Sequence, residues 1–351
     1  MLETNTLTVI LTNRCNAACD HCCMNSGPDR METVEVETLK AAIDQLHDEN
    51  TLAVVVFAGG EPTLAKSVLR QALRHCQSKG ILTRMVSNAS WAKSPSLASK
   101  ILQRLKDDGL SELNISADDF HLPYVPFNNV VNAWKAAKGI GFISLVIANS
   151  SSRMSKITPG FIRRMIGEDT LLRIEQRGQN QTLIFPPQGD TLTAISTSMF
   201  QRLERAEKSL HPDNFYFIQN EEDLIGVCPH AYCSPAISPR GHLLACCGFE
   251  LDGNPVLDFG DLKSARLASI RETALNNPIL KGIIYLGPHY LMELVRQVAP
   301  EIHFNKQYSS VCEVCRSLTK NPKAVEVLLN HDYMYSPAVK IIERRKKPVA
   351  A

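Results

Sequence analysis

Four of the eleven cysteines fall within residues 15–23, which read Cys-Asn-Ala-Ala-Cys-Asp-His-Cys-Cys. Gaps of four and three residues allow Cys15, Cys19 and Cys22 to face one centre if the segment is a compact loop. Cys23 follows too closely to wrap the same ion. Soft thiolates select zinc, copper or iron–sulfur clusters. A structural zinc site wants four closed ligands, usually as separated pairs. Three thiolates on a four-iron cluster would instead leave one iron open to polarise a substrate or cofactor. Four more cysteines lie at 228, 233, 246 and 247, and a Cys-Glu-Val-Cys pair closes at 312 and 315. Tight clusters without a secretory signal favour metal ligation over disulfides. A second chemical feature is Gly59-Gly60-Glu61-Pro62. Two glycines let main chain approach a ligand closely, and Glu61 can accept from an ammonium group.

The Cys-x3-Cys-x2-Cys loop and the Gly-Gly-Glu-Pro turn, each directly after an apolar run, resemble the signature of the radical S-adenosylmethionine (SAM) superfamily. His21 stands where that family usually has an aromatic residue. The resemblance implies a [4Fe-4S] cluster on Cys15, Cys19 and Cys22, with S-adenosylmethionine on the open iron and its methionine amino group held by Gly59, Gly60, Glu61 and Pro62. It implies reductive cleavage to a 5′-deoxyadenosyl radical, hydrogen abstraction from substrate, and a flavodoxin- or ferredoxin-type electron donor. Ser87, Asn88, Ser116 and Asp118 are then expected against the cofactor, as are Asn149 and Arg153 at its carboxylate or adenine. Asp119 and His121 are candidates for substrate contact.

The order Cys233, Gly241, Cys246, then Cys312 and Cys315, is similar to the SPASM and twitch extensions of that family. It implies an auxiliary [4Fe-4S] cluster on Cys233, Cys246, Cys312 and Cys315, with Cys228 as an alternative ligand and zinc as the alternative metal. Cys23 and Cys247 are read as inert neighbours, with hydrogen-atom donation or ligand substitution left open. Cys76 reads as a buried core residue. Relatives with this extension act on peptides, sulfatases or small molecules, so the expected activity is peptide or protein modification. Small-molecule dehydrogenation is the alternative within the family. A noncatalytic iron–sulfur or zinc protein is the rival from another class, and it would have no need of the Gly-Gly-Glu-Pro turn. Only fourteen residues precede Cys15, so no peptide-recognition domain is expected ahead of it.

Positioning these residues requires a scaffold whose strand ends converge. Strand-like runs at 7–12, 52–57, 81–87, 112–116, 142–148 and 183–185 alternate with helical periodicity at 33–47, 68–77, 97–105, 128–137 and 161–166. Continuous apolar runs such as Leu52–Phe57 suit a parallel sheet buried on both faces. Right-handed crossovers would wind the repeats into a partial (β/α)6 parallel barrel, with ligands at the carboxyl ends of the strands. After Asp190 the alternation stops. Residues 191–351 are expected to form a small cysteine-rich α+β extension to a core at 1–190, with a helix at 199–210, a hairpin about Pro239-Arg240-Gly241, and helices at 267–286 and 290–298. The basic tail from Lys340 reads as solvated.

The composition of the 351 residues is 44% hydrophobic and 21% charged, an ordinary globular balance. The formal charge of +2 gives no reason to expect nucleic acid or an anionic membrane as partner. The apolar run Leu52–Ala58 is far short of the roughly 20 residues that span a bilayer, and the first residues lack an apolar signal core. A cytoplasmic location is the expectation.

Overall fold

The computed structural model describes residues 3–49 and 51–346. The last residues of the basic tail, 347–351, lie outside them. The chain runs β1 (Thr6–Thr12), α1 (Val36–Asp48), β2 (Val54–Gly59), α2 (Lys66–Ser78), β3 (Leu82–Ser87), α3 (Pro95–Asp107), β4 (Glu112–Ser116), α4 (Phe127–Ala137), β5 (Ser144–Ser151) and α5 (Pro159–Ile166). Then come an antiparallel meander of β6 (Arg173–Arg177), β7 (Asn180–Gln188) and β8 (Thr191–Met199), and the short α6 (Arg205–Ser209). The remainder is β9 (Ala236–Ile237), β10 (His242–Leu244), β11 (Asp258–Asp261), α7 (Leu267–Ala274), α8 (Pro278–Tyr285), α9 (Pro288–Val298), α10 (Val311–Thr319), α11 (Pro322–Asn330) and α12 (Ser336–Lys346).

One sheet holds all eleven strands, in the order β11-β10-β9-β1-β2-β3-β4-β5-β8-β7-β6. Strands β1, β2, β3, β4, β5 and β8 pair in parallel one after another. This is the open (β/α)6 arrangement that the alternation predicted. The sixth parallel strand, however, is β8 and not the run at 183–185. That run lies in β7, which is antiparallel to β8. The turn at Gly189-Asp190 sits inside the β7–β8 hairpin, so residue 190 falls within the sheet. The helix expected at 199–210 shrinks to α6 because β8 continues to Met199. The helical stretch at 267–286 divides into α7 and α8, since Asn277 accepts from Ile279 N and Leu280 N as the cap and Pro278 opens the new helix. The hairpin about Gly241 forms as β9 and β10, with φ of +85° at the glycine.

Burial explains the order. Leu7, Val9 and Leu11 of β1 enter the core beneath the helices, while Ile10 on its other face joins the core of the C-terminal helices. Alternation along a strand sends successive side chains to opposite faces, so β1 is held from both sides. Pro95 and Pro159 open α3 and α5, and the preceding Ser94 and Thr158 accept from Leu97 N and Phe161 N. At the far edge β6 is exposed throughout and carries Arg173, Glu175 and Arg177, charges that discourage pairing with another chain. No helix among the described residues is long and apolar enough to cross a membrane.

Candidate active site and a second cysteine cluster

The cysteine loop leaves β1 and folds back on itself. Cys15 N donates to Gly27 O at 3.0 Å, Gly27 N to Asn13 O at 3.1 Å, and Cys22 N to Cys19 O at 3.0 Å. Arg205 clamps the loop by donating to the carbonyls of Cys19 (3.0 Å) and Ser26 (2.7 Å). Asn25, at φ +49°, donates to the carboxylates of Glu204 and Glu250. The loop is thus fixed by the region after β8. Cys15 and Cys19 are buried and Cys22 half-buried. Burial, reinforced by Glu61, Cys19 and Cys22, pushes the Cys15 thiol up to about 12. A thiol raised in this way suits a sulfur deprotonated by a metal and not a free nucleophile.

The Gly-Gly-Glu-Pro turn is built into this loop. Gly60 N donates to Thr12 O at 2.7 Å and Glu61 N to Arg14 O at 2.9 Å. A Cβ on Gly59 would stand 2.6 Å from Thr12 O, and one on Gly60 would stand 2.6 Å from the carbonyl carbon of Arg14. The glycines therefore admit the backbone of residues 12–14, a closer constraint than the ligand approach the sequence suggests. Glu61 is wholly buried. Its carboxylate accepts from Thr63 N and Oγ1, Ser87 Oγ and Asn88 N. Burial raises its pKa against those hydrogen bonds. Its side chain binds the end of β2 to the end of β3; the glycines, not Glu61 or Pro62, line the neighbouring cavity.

That cavity, of about 350 Å³, opens where the parallel strands end. Cys15, Cys19, Cys22, Gly59, Gly60, Ser87, Asn88, Ser116 and His121 line it. Asp118, Asp119, Asn149 and Arg153 do not. Asp118 is buried and receives Phe120 N, His121 N and His121 Nδ1 at 2.9–3.0 Å. Burial alone would raise its pKa, but His121 holds it below the ordinary range. Reciprocally, burial would lower His121, yet Asp118 and a hydrogen bond with Cys19 hold it well above the ordinary value. Asp119 accepts from Lys156 N and Ile157 N, and so shapes the loop after β5. Asn149 donates to Ala117 O and Ile157 O and accepts from Thr197 Oγ1, tying together β4, β5 and β8. Arg153 is exposed.

The sequence reading missed the cavity wall from β5 and β8, namely Ser150, Ser198, Met199, Phe200 and Gln201. His21, read from the sequence only as a stand-in for the family's aromatic residue, stacks on Phe120 at 4.6 Å with Phe200 packed edge-on beyond. Burial pushes His21 down to about 4, so it stays a neutral ring. The β-branched residues Thr191, Thr193, Ile195 and Thr197 were the available signal for β8.

The second set brings together Cys228, Cys246, Cys312 and Cys315. Burial raises Cys246, Cys312 (to about 11) and Cys315; neighbouring thiols raise them further, Cys247 acting on Cys246 and Cys312, and Cys228 on all three. A Cβ on Gly248 would lie 3.6 Å from both the Cys246 and Cys312 sulfurs. Burial raises Tyr232 and Tyr285, and Cys233 acts on both, raising them further. Tyr232, next to Cys233, adopts a left-handed φ of +73°. Cys23 is half-buried between the two sites, its thiol raised by burial and then by Cys22, Cys247 and Cys312. Gly248 lines the first cavity as well, so the two sites adjoin. Cys76 is buried in α2, as expected of a core residue.

Sulfur spacing tests the metal. A single tetrahedral zinc ion would hold its thiolates about 3.8 Å apart, given Zn–S bonds of about 2.3 Å. Among the described residues no three cysteine sulfurs lie within 4.8 Å of one another; the sets that do are His21, Asp118 and His121, and His242, Asp252 and Asp258. Both cysteine sets are spread too widely for one ion and suit a larger multi-iron body.

Residues 9–148 match the Radical SAM superfamily, so this part of the chain is a radical SAM domain. The chain is an enzyme, and the family implies a [4Fe-4S] cluster and S-adenosylmethionine as its cofactors. A relative from Bacillus subtilis (strain 168), YydG, whose name assigns it to peptide biosynthesis, is 22% identical over 94% of this chain and 95% of its own length. The antilisterial bacteriocin subtilosin biosynthesis protein AlbA of the same organism is 41% identical over 49 residues, 14% of this chain and 11% of AlbA. The structure of Streptococcus suis SuiB bound to S-adenosylmethionine overlaps with TM-score 0.41 and 15% identity, covering 76% of this chain and 65% of that one.

Proposed function

We propose that this chain is a radical SAM enzyme that modifies a peptide, with its radical-generating cluster on Cys15, Cys19 and Cys22. The observation that carries the reading is the backbone lock between the cysteine loop and the Gly59-Gly60 turn, at the mouth of a cavity at the carboxyl ends of the strands. A noncatalytic carrier needs no such turn. Bound there and reduced by one electron, the cofactor supplies an oxidant able to take a hydrogen atom from carbon.

The chain's own residues do the rest. Main-chain carbonyls of the glycine turn would meet the methionine ammonium, while Glu61 fixes the turn from behind. Asn88, with its amide 3.7 Å from the Cys15 sulfur, and Ser116 offer polar atoms to the cofactor. His121, oriented by Asp118 and paired with Cys19, would tune a cluster held on that sulfur. His21, Phe120 and Phe200 exclude water from one side.

The radical-generating half runs through β8 to Met199, and the extension holds an auxiliary cluster on Cys228, Cys246, Cys312 and Cys315 in the manner of a SPASM or twitch domain. A peptide substrate is supported by the relative YydG, which aligns over the extension as well as the core. Exposed thiols and oxygen-labile clusters belong in a reducing compartment, so the reading carries a cytoplasmic location and a flavodoxin- or ferredoxin-type donor.

The experiment supplies reductant, S-adenosylmethionine and deuterated peptides encoded beside the gene. Deuterium in the 5′-deoxyadenosine, together with a mass or stereochemical change in the peptide, is the expected result. Deoxyadenosine formed at one rate with and without every peptide, and never labelled, would remove the peptide assignment.

A further inference from the structure

A second and larger concavity lies outside the cavity just described. Helices α2 and α3 and the entrance to α4 enclose a groove of about 950 Å³. One wall is a single face of α3, where Leu97, Lys100, Ile101 and Arg104 recur at helical spacing. Lys66 of α2 and Lys93 complete a set of four exposed cations with Lys100 and Arg104. Among the described residues no carboxylate lines the groove. Arg70, also in the wall, is already engaged by Asp108. Between the cations stands apolar surface: Leu64, Leu97 and Tyr124 are 40%, 38% and 43% exposed, and Trp91 is half-buried. An apolar centre ringed by one sign of charge is the form of a protein-docking surface, not of a solvated face.

The groove reaches the cysteine loop through hydrogen bonds. Asn16, next to Cys15, lines it, and Asn16 Oδ1 accepts from Asn88 Nδ2 at 3.0 Å. The same Asn88 amide approaches the Cys15 sulfur at 3.7 Å. Tyr124, on the opposite wall, donates its hydroxyl proton to Ala18 O at 3.0 Å.

We propose that this groove docks an acidic electron-carrier protein of the flavodoxin or ferredoxin type, which passes one electron through Asn16 and Asn88 to the cluster side of Cys15. This rests on the reading that Cys15, Cys19 and Cys22 hold a cluster. The carrier is oxidised by one electron, the cluster is reduced by one, and no bond is made or broken. A substrate is the poorer occupant, because hydrogen-atom transfer requires contact inside the cavity and the Asn16–Asn88 wall stands between. An electron crosses such a wall; an atom does not. The unpaired cations match carboxylates around a carrier's redox centre and would steer its approach.

The test is the triple variant Lys93→Glu/Lys100→Glu/Arg104→Glu in the anaerobically reconstituted full chain, with one flavodoxin and one ferredoxin as probes. With dithionite as reductant, 5′-deoxyadenosine formation should stay within twofold of wild type. With the reduced carrier below saturation it should fall at least tenfold. The wild-type rate should drop as salt rises while the variant's changes little, since screening shortens from about 10 Å at 0.1 M to about 3 Å at 1 M. Equal effects under both reductants, or none under either, overturn the proposal, as does a peptide KM raised under dithionite. Anisotropy titration of the oxidised carriers is read separately. Binding weakened tenfold in the variant supports the groove even if no deoxyadenosine forms, an outcome that would instead sink the cluster reading. Neither carrier binding wild type would overturn the groove.

Discussion

Replacing Gly60 by alanine tests whether the glycine turn is locked to the cysteine loop. The added methyl carbon would sit 2.6 Å from the carbonyl carbon of Arg14 and closer still to its oxygen. Non-bonded carbons rest at about 3.5–4.0 Å, so the turn must retreat by about 1 Å. That movement stretches the bonds from Gly60 N to Thr12 O (2.7 Å) and Glu61 N to Arg14 O (2.9 Å) beyond useful range. Two hydrogen bonds at about 0.5–1.5 kcal/mol each, with about 1–3 kcal/mol of overpacking, give a loss of roughly 2–6 kcal/mol. A displacement of this size beside a reacting centre costs on the order of 100-fold in rate. Gly27→Ala in the same loop is the control, because its methyl would meet only Arg205 Nη2, at 3.8 Å. Urea unfolding of the apo-chain reads the stability, and 5′-deoxyadenosine formation reads the site. A Gly60→Ala protein as stable and as active as Gly27→Ala would refute the lock.

Further outcomes follow from other parts of the structure. Anaerobic reconstitution of wild type should give about eight irons per chain; Cys228→Ala should fall to about four while Cys233→Ala stays near eight, and the reverse pattern would restore Cys233 as the ligand. Glu61→Gln turns an amide donor toward Ser87 and the Asn88 N–H; it should cost about 1–3 kcal/mol by urea midpoint and weaken S-adenosylmethionine binding, whereas an unchanged midpoint would contradict the role given to that carboxylate. Burial alone would raise Asp108, but Arg70 and Arg74 hold it below the ordinary carboxylate range. Its stabilisation is therefore present above the unfolded value near 3.8 and lost as pH falls through the lower folded value. Asp108→Asn should cost about 1–2 kcal/mol at pH 7, less than a fully buried pair because Arg74 is half exposed, and the gap from wild type should close as pH drops below 4. A gap independent of pH would show that charge is not the cause.

The strand–helix alternation was legible because buried parallel strands are continuous apolar runs, as in Leu52–Phe57, and because Ser94-Pro95 and Thr158-Pro159 mark helix starts. β8 was not, since its inward positions include Thr191, Thr193 and Thr197, whose hydroxyls disguise a core strand. Cys15, Cys19 and Cys22 were legible as a set because all three lie in one short loop. The second set was only partly so: sequence order says nothing of how the chain brings Cys228 to Cys246, Cys312 and Cys315. Asp119 and Asn149 show the same limit from the other side. Both have chemistry suited to a ligand, yet their hydrogen bonds are spent on the backbone that shapes the site.

The central claim is that three thiolates of one loop create a reductive SAM-cleaving centre. Its most direct measurement is 5′-deoxyadenosine released by the anaerobically reconstituted, dithionite-reduced chain, in wild type and in Cys19→Ala. The account predicts product from wild type and none from Cys19→Ala, with the auxiliary iron, about four per chain, retained in the variant. Product from Cys19→Ala at the wild-type rate, or none from an iron-loaded wild type, would contradict it.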